Sequence, residues 1–179
     1  MYAASVVIAS LYALVGIAAY VVSNEIRYSE RVRVNAPREV VFEAILSQEE
    51  LMAWSAWPEA TGSDCRVEGE DGIVGTKLVY LTNGKPAGSQ TVTDVAENGS
   101  VTLELEDPSP FGQKPTVKFL VEEGDGTEVT LQFVNVVRRP FHLVVKGVGI
   151  AAWTRELHRK DLQGLKAYAE KQATPQPQG

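Results

Sequence analysis

Side chains suited to acid–base or metal chemistry are few in this sequence and lie far apart. His142 and His158 are the only two histidines. His158 lies among basic residues on the predicted polar side of a helix, and His142 follows Pro140 at the start of a helical segment, so both are predicted at the surface. Neither has a second ligand at metal-binding spacing, and the single cysteine, Cys65, stands apart from both. We therefore predict no metal site and no cofactor.

Two polar residues fall on the apolar faces of predicted strands, where an unpaired polar group is costly. Glu30 interrupts the apolar face of the first strand. Either it faces a cavity as an acid or base, or the strand twists there and exposes it. Asn135 follows Phe133 on the last strand, where it either orients a polar group of a ligand or satisfies a backbone group. His142 could alternatively face the mouth of a cavity. The candidate catalytic residues are therefore Glu30 and His142.

The composition is that of one globular domain with appendages. The chain has 179 residues, of which 44% are hydrophobic and 22% are charged, so a core of useful size can form. The net charge of −6 does not favour a nucleic-acid-binding role, which usually needs a basic patch. A single cysteine excludes an internal disulfide, and Cys65 is expected to be a small buried residue.

The first 24 residues differ from the rest because they carry no charged side chain. Ser5 to Val22 is apolar apart from two serines and tyrosines, and its length suits a bilayer core of roughly 30 Å. We predict a transmembrane anchor over residues 1–24. A cleaved signal peptide, which normally has a basic residue before the apolar run, and a buried core helix are the alternatives. Arginines soon after the run predict a single-pass membrane protein with its domain in the cytosol.

From residue 25 onward the hydrophobic pattern predicts a sheet covered by a helix. Ile26–Val34 alternates as a strand, short helices follow, and about six further strands run to Asn135. Asn83-Gly84 marks a tight hairpin because both residues tolerate positive φ. Ile150–Glu170 has apolar residues at helical spacing. We predict an α+β domain over residues 25–172, followed by a disordered tail at 173–179.

The order and spacing of several short motifs resemble the START-like (SRPBCC) superfamily, in its polyketide cyclase/dehydrase-like branch, over about residues 26–171. The resemblance implies a helix-grip fold, in which a curved antiparallel sheet wraps around a long C-terminal helix and leaves an internal cavity. Similar proteins bind lipids, sterols or aromatic polyketides, and some catalyse cyclisation or dehydration. No shared catalytic signature maps onto this chain, and fold alone does not fix function. The matching motifs are Val32–Pro37, Val40–Phe42, Trp54–Pro58, Gly72–Thr76, Gly126–Thr130 and Leu162–Lys166.

The residues expected to enclose this cavity share the dry faces of the strands, the short helices or the apolar stripe of the long helix. Tyr80 and Asn135 are the polar members expected to give specificity. The predicted ligand-binding residues are Trp54, Trp57, Leu78, Tyr80, Leu103, Phe119, Phe133, Asn135, Trp153 and Leu157.

Two functional hypotheses from different classes follow. The first is a membrane-tethered protein that holds a hydrophobic small molecule or lipid. The second is a polyketide cyclase- or dehydratase-like enzyme that acts through Glu30, His142 or Asn135. The lack of a convincing acid–base pair favours the first. A partner-binding domain with a collapsed cavity is a third possibility. The sequence does not determine the identity of the ligand or the oligomeric state.

Overall fold

The computed structural model describes residues 2–97, 99–106 and 114–174. Within these ranges the chain forms a seven-stranded sheet, a long C-terminal helix and several shorter helices. The elements are α1 Tyr2–Val21, β1 Glu25–Val34, α2 Arg38–Leu46, α3 Gln48–Trp54, α4 Trp57–Thr61, β2 Asp64–Glu68, β3 Lys77–Thr82, β4 Lys85–Ala96, β5 Ser100–Glu106, β6 Thr116–Gly124, β7 Gly126–Val136, α5 His142–Gly147 and α6 Ile150–Ala173.

The sheet is antiparallel throughout, in the order β1-β7-β6-β5-β4-β3-β2. β2 to β7 form a meander, and β1 joins its far end by pairing with β7 from Glu25↔Val136 to Val34↔Thr127. Asn83 and Gly84 both have positive φ, at 53° and 72°, which confirms the predicted hairpin between β3 and β4. Register shifts within β3–β4 and β4–β5 are the irregularities that bend a strand and curve a sheet.

Helix α6 covers the concave face of this sheet. Its Leu162, Leu165 and Ala169 join the central core, together with apolar residues of β1, α2 and the inner face of the meander. The predicted α+β architecture, with a curved sheet around a long C-terminal helix, is therefore confirmed. The core strands alternate as the sequence indicated; in β6, for example, Val117, Phe119 and Val121 are buried.

Helix α1 precedes the domain, and its described large apolar side chains are exposed. Its C-terminal carbonyl groups accept hydrogen bonds from Arg139, and the carbonyl of Ser23 accepts one from Lys146 Nζ at 2.6 Å. A helix needs about 20 consecutive apolar residues to cross a bilayer core. Among the described residues, no helix is both long enough and apolar enough to do so. The predicted transmembrane helix is therefore not supported, and the membrane localisation stays a prediction.

The end of the chain is helical for longer than predicted. α6 continues to Ala173 and Thr174 caps it, so the first residues of the predicted tail are ordered by the helix. Residues 175–179, which make up the rest of that predicted tail, lie outside the described residues. The domain boundaries at residues 24 and 172 stay predictions.

Candidate functional site

A cavity of about 350 Å³ lies between the concave face of the sheet, the short helices α3 and α4, and the first half of α6. Six aromatic side chains of the described residues contribute to its wall, among them Trp54, Phe119 and Trp153. The wall is mainly apolar, with a small number of polar groups, which is the usual character of a site for a small molecule. The α6 residues on the wall, from Ile150 to Asp161, all precede the segment that enters the core.

Eight of the ten predicted ligand-binding residues lie on this wall: Trp54, Trp57, Tyr80, Leu103, Phe119, Phe133, Asn135 and Trp153. Leu78 and Leu157 do not. The structure places them in the packed interior, 0% and 3% exposed, because protein side chains rather than the cavity surround them. That any of the ten binds a ligand stays a prediction.

His158 is on the cavity wall, so the prediction that it lies at the surface is wrong. Its side chain is 2% exposed and its ring lies 5.2 Å from that of Phe133 and 5.7 Å from that of Trp57, between centroids. Nδ1 is 2.7 Å from the hydroxyl oxygen of Tyr28, within hydrogen-bond distance. Burial lowers the pKa of His158 to about 4, so its imidazole is neutral at pH 7.

Asp161 lies one helical turn further along and is also buried. Its Oδ1 accepts hydrogen bonds from the backbone N–H of Ala56 at 2.7 Å and from the hydroxyl of Ser55 at 3.1 Å. Burial raises the pKa of Asp161 to about 6, against the opposing effect of these hydrogen bonds. Asp161 is not among the residues predicted for the site. The available signal was a carboxylate beside the apolar stripe of α6, next to Leu162.

Tyr80 is held in place by a chain of amide groups. Its hydroxyl donates to Oε1 of Gln90 at 3.0 Å, and Nε2 of Gln90 donates to Oε1 of Gln48 at 2.7 Å. Gln48 and Gln90 are both buried. Burial also raises the pKa of the Tyr80 phenol. The network fixes the orientation of a polar group on an otherwise apolar wall.

Asn135 places a buried polar atom without a hydrogen-bond partner on the cavity wall. Among the described residues that line the cavity, its Oδ1 is the only buried side-chain oxygen or nitrogen that has no partner. Of the two readings of Asn135, satisfaction of a backbone group therefore has no support in the geometry. An unmet hydrogen bond of this kind is costly unless a ligand or solvent supplies it.

The two candidate catalytic residues lie away from the cavity wall. The carboxylate of Glu30 pairs with Arg155 and, at 3.1 Å, with Nε of Arg159. Burial alone would raise its pKa, but hydrogen bonds from Arg159 and Arg155 outweigh this and hold it below the ordinary value. Glu30 thus stays on the inner face because arginines of α6 neutralise it, a possibility that neither prediction included.

His142 is fully buried at the start of α5, and neither of its ring nitrogens has a hydrogen-bond partner. The predicted surface position of His142 is therefore wrong. Cys65 is half-buried, and burial raises the pKa of its thiol. No group of three or more His, Cys, Asp or Glu side chains within the described ranges could hold a metal ion.

Residues 25–170 match a family model described as polyketide cyclase / dehydrase and lipid transport. The match begins at β1 and ends near the close of α6, so it covers the sheet, the helices and the cavity. No curated protein matches the chain.

Three solved structures of similar fold have between 9% and 16% sequence identity to this chain. Protein CV1439 from Chromobacterium violaceum has a TM-score of 0.59 at 16% identity, covering 81% of this chain and 97% of that one. The KanY protein has a TM-score of 0.61 at 16% identity, with coverages of 82% and 98%. The di-domain ARO/CYC StfQ, from the steffimycin biosynthetic pathway, has a TM-score of 0.61 at 9% identity. The alignment covers 83% of this chain and 52% of StfQ. At these identities the likeness shows the fold alone.

Proposed function

The chain belongs to the polyketide cyclase/dehydrase and lipid transport family, and we propose that it binds a hydrophobic small molecule in the cavity beside the first half of α6. The observation that carries this proposal is the cavity itself. About 350 Å³ of space stays open among six aromatic side chains of the described residues, next to a core of buried apolar residues. Burial of apolar ligand surface there would contribute about 25 cal/mol per Å².

The proposal is tested with the full chain and Nile red, an uncharged dye that brightens in apolar surroundings. We expect saturable brightening. Phe133→Trp should weaken it because Phe133 lies on the wall and the larger ring takes up part of the space. Tyr168→Trp, on α6 but away from the cavity, is the matched control and should bind as the unmodified chain does.

The variant pair also separates cavity binding from adsorption of the dye to exposed apolar side chains of α1. Adsorption would be equal in both variants. Thermal unfolding checks that Phe133→Trp is folded. Equal brightening in all three proteins, or none in any of them, would contradict the proposal.

We infer a second candidate function, dehydration of a β-hydroxy ketone, from His158 and Asp161 on the same wall. Neutral imidazole can accept a proton from the carbon next to the carbonyl group. A carboxyl group whose pKa is about 6 can be protonated near neutral pH and give its proton to the departing hydroxyl group, which leaves as water. Their positions, one helical turn apart on α6, favour this assignment over Glu30 and His142.

The test substrate is 4-hydroxy-4-phenylbutan-2-one, whose dehydration forms a conjugated enone that absorbs in the near ultraviolet. If the chain is a dehydratase, it accelerates the reaction, and His158→Gln slows it by about 100-fold, a typical contribution of a general base. Glu30→Gln is the control and should leave the rate unchanged. Absence of acceleration by the unmodified chain would leave ligand binding as the sole proposed function.

A further inference from the structure

The cavity wall carries no positively charged side chain among its described residues. Its charged members are two carboxylates, Glu106 and Asp161. Two arginines of the same half of α6, Arg155 and Arg159, are engaged by Glu30 away from the cavity. A ligand with a carboxylate or phosphate group would therefore lose its hydration on entering and find no cation to pair with, which is a heavy penalty for a buried ion.

The polar groups of the wall do not replace the missing cation. Tyr80 already donates its hydroxyl proton to Gln90, and Ser55 donates its proton to Asp161. His158 is held neutral at pH 7 by burial. The Tyr80 and Ser55 donors are thus committed to partners within the protein, and the other donors of the wall carry no charge.

We propose that the cavity selects uncharged ligands and excludes anions, and that the Asn135 amide forms the hydrogen bond that orients the ligand. This inference rests on the proposed binding function and adds the chemical class of the ligand. Asn135 fits the role because its Oδ1 is buried and has no partner, so a hydroxyl group on a ligand would supply the missing bond.

The volume of the cavity and the composition of its wall indicate the size and shape of the ligand. A volume of about 350 Å³ is near the lower limit of small-molecule sites, which span roughly 300–1,000 Å³. Six aromatic rings favour a planar apolar partner through stacked and edge-to-face contacts. A compact ring system with one hydroxyl group suits this space better than a long acyl chain with an acidic end.

One feature of the site opposes this charge preference. The N-terminus of α6 begins at Ile150 on the cavity wall, and a helix N-terminus attracts negative charge. The carboxylate of Glu106 would repel an anion there. That repulsion is weakened because Glu106 lies 3.8 Å from Lys77 Nζ and is more than half exposed. The experiment must therefore compare anionic and neutral ligands of the same shape directly.

The probes are 2-naphthol, 2-naphthoate, 2-naphthylmethylammonium and naphthalene, titrated into the full chain at pH 7.5 by calorimetry or by intrinsic tryptophan fluorescence. We expect 2-naphthol to bind at least about tenfold more tightly than 2-naphthoate, because the carboxylate would be buried without a partner. 2-Naphthol should also bind more tightly than naphthalene, through its hydrogen bond to Asn135.

Two variants, each with a control, test whether Asn135 and the missing cation cause these differences in affinity. Asn135→Leu, which keeps the branched shape of the side chain but forms no hydrogen bond, should remove the advantage of 2-naphthol over naphthalene. Gln132→Leu on the exposed face of β7 should retain it. Thr82→Lys places a cation on the cavity wall and should raise the affinity for 2-naphthoate by about tenfold. Thr93→Lys, at an exposed position on β4 outside the cavity, should not.

The outcomes separate this inference from the function on which it rests. If 2-naphthoate binds as tightly as 2-naphthol, the charge preference is overturned, the α6 N-terminus governs the site, and ligand binding still stands. Tightest binding of the ammonium probe would overturn it in favour of a cation site. If Nile red binds but no naphthalene probe does, the ligand class is wrong. If neither Nile red nor any naphthalene probe binds, the proposed function fails as well.

Discussion

The two halves of α6 meet the same sheet in different ways. Residues 162–173, the packed half, place Leu162, Leu165 and Ala169 in the core with no more than 2% of their surface exposed. Residues 150–161, the cavity half, leave space beneath them, and Ile150 and Trp153 are nearly half exposed. The packed half thus provides the apolar burial that stabilises the fold, and the cavity half provides the wall of the candidate site.

Ionisable groups divide along the helix in the same way. His158 and Asp161 are the buried ionisable side chains of the cavity half, and the described part of the packed half has none. In an interior that serves only to stabilise the fold, apolar side chains have the lowest free-energy cost of burial, since each buried ionisable group carries a desolvation penalty. The comparison indicates that stability and ligand binding can be altered separately along one helix.

The largest expected effect on stability comes from truncation in the packed half. Leu165→Ala should lower the free energy of unfolding by about 2–5 kcal/mol, because Leu165 is fully buried and its loss leaves a cavity among core side chains. Denaturant unfolding measures the change. Nile red affinity per folded molecule should stay the same. A variant that is stable but has lost dye binding would show that the two halves are not separable.

The next effect concerns pH and the cavity half. His158, beside the Tyr28 hydroxyl, is protonated near pH 6.5 in the unfolded chain but only near pH 4 when folded. Acidification from about pH 6.5 to 4 therefore favours unfolding through this group. Asp161, beside Ser55 and Ala56, has a pKa of 3.8 when unfolded and about 6 when folded, so acidification over about pH 6 to 4 favours folding.

The pH-dependent contributions of His158 and Asp161 to the free energy of unfolding each reach about 3 kcal/mol at most. Because they have opposite signs, they nearly cancel in the unmodified chain. Relative to it, His158→Gln should gain stability as the pH falls from 6 to 4, and Asp161→Asn should lose stability over the same range. Urea unfolding at several pH values measures the slopes, which a constant destabilisation does not affect. Parallel curves for all three proteins would show that neither group changes its pKa on folding.

A smaller loss is expected where the packed half approaches α3. A Cβ atom at Gly164 would collide with the carbonyl oxygen of Trp54 and lie 3.1 Å from its carbonyl carbon. Gly164→Ala should therefore lower the free energy of unfolding by about 1–3 kcal/mol, since a backbone group cannot move aside easily. Gly147→Ala, whose Cβ would meet no atom within 4 Å, is the control. Equal stability of the two variants would place α6 further from α3.

The smallest stability change should accompany the clearest loss of binding. Trp153 is 48% exposed and contacts Trp57 edge-on at 5.6 Å between ring centroids. Trp153→Ala should lower the free energy of unfolding by about 1 kcal/mol or less, in keeping with the worth of a single aromatic pair, and weaken Nile red binding several-fold. Trp153→Phe should retain most of the affinity. If Trp153→Ala lowered the free energy of unfolding by several kcal/mol, Trp153 would belong to the core instead.

The sequence by itself determined the elements of the domain because their signals are local. Alternation in segments such as Val101–Glu106 specifies a strand with one dry face, and Asn83-Gly84 specifies a hairpin through two residues that accept positive φ. The apolar period of Ile150–Glu170 specifies a covering helix. The same patterns indicated six residues of the cavity wall, since much of the wall is drawn from the dry faces of these elements, and the family resemblance added Trp54 and Trp57.

Only the tertiary structure decided which dry-face residues meet open space and which polar residues lie among them. Leu78 and Leu157 share the apolar pattern of their neighbours but are enclosed by other side chains. His158 and Asp161 have polar side chains, yet they are buried where β1 and the α3–α4 junction approach α6. Glu30 lies on the inner face because two arginines reach it from α6. The distance between a helix and a sheet depends on contacts between residues distant in the chain, so local periodicity does not contain it.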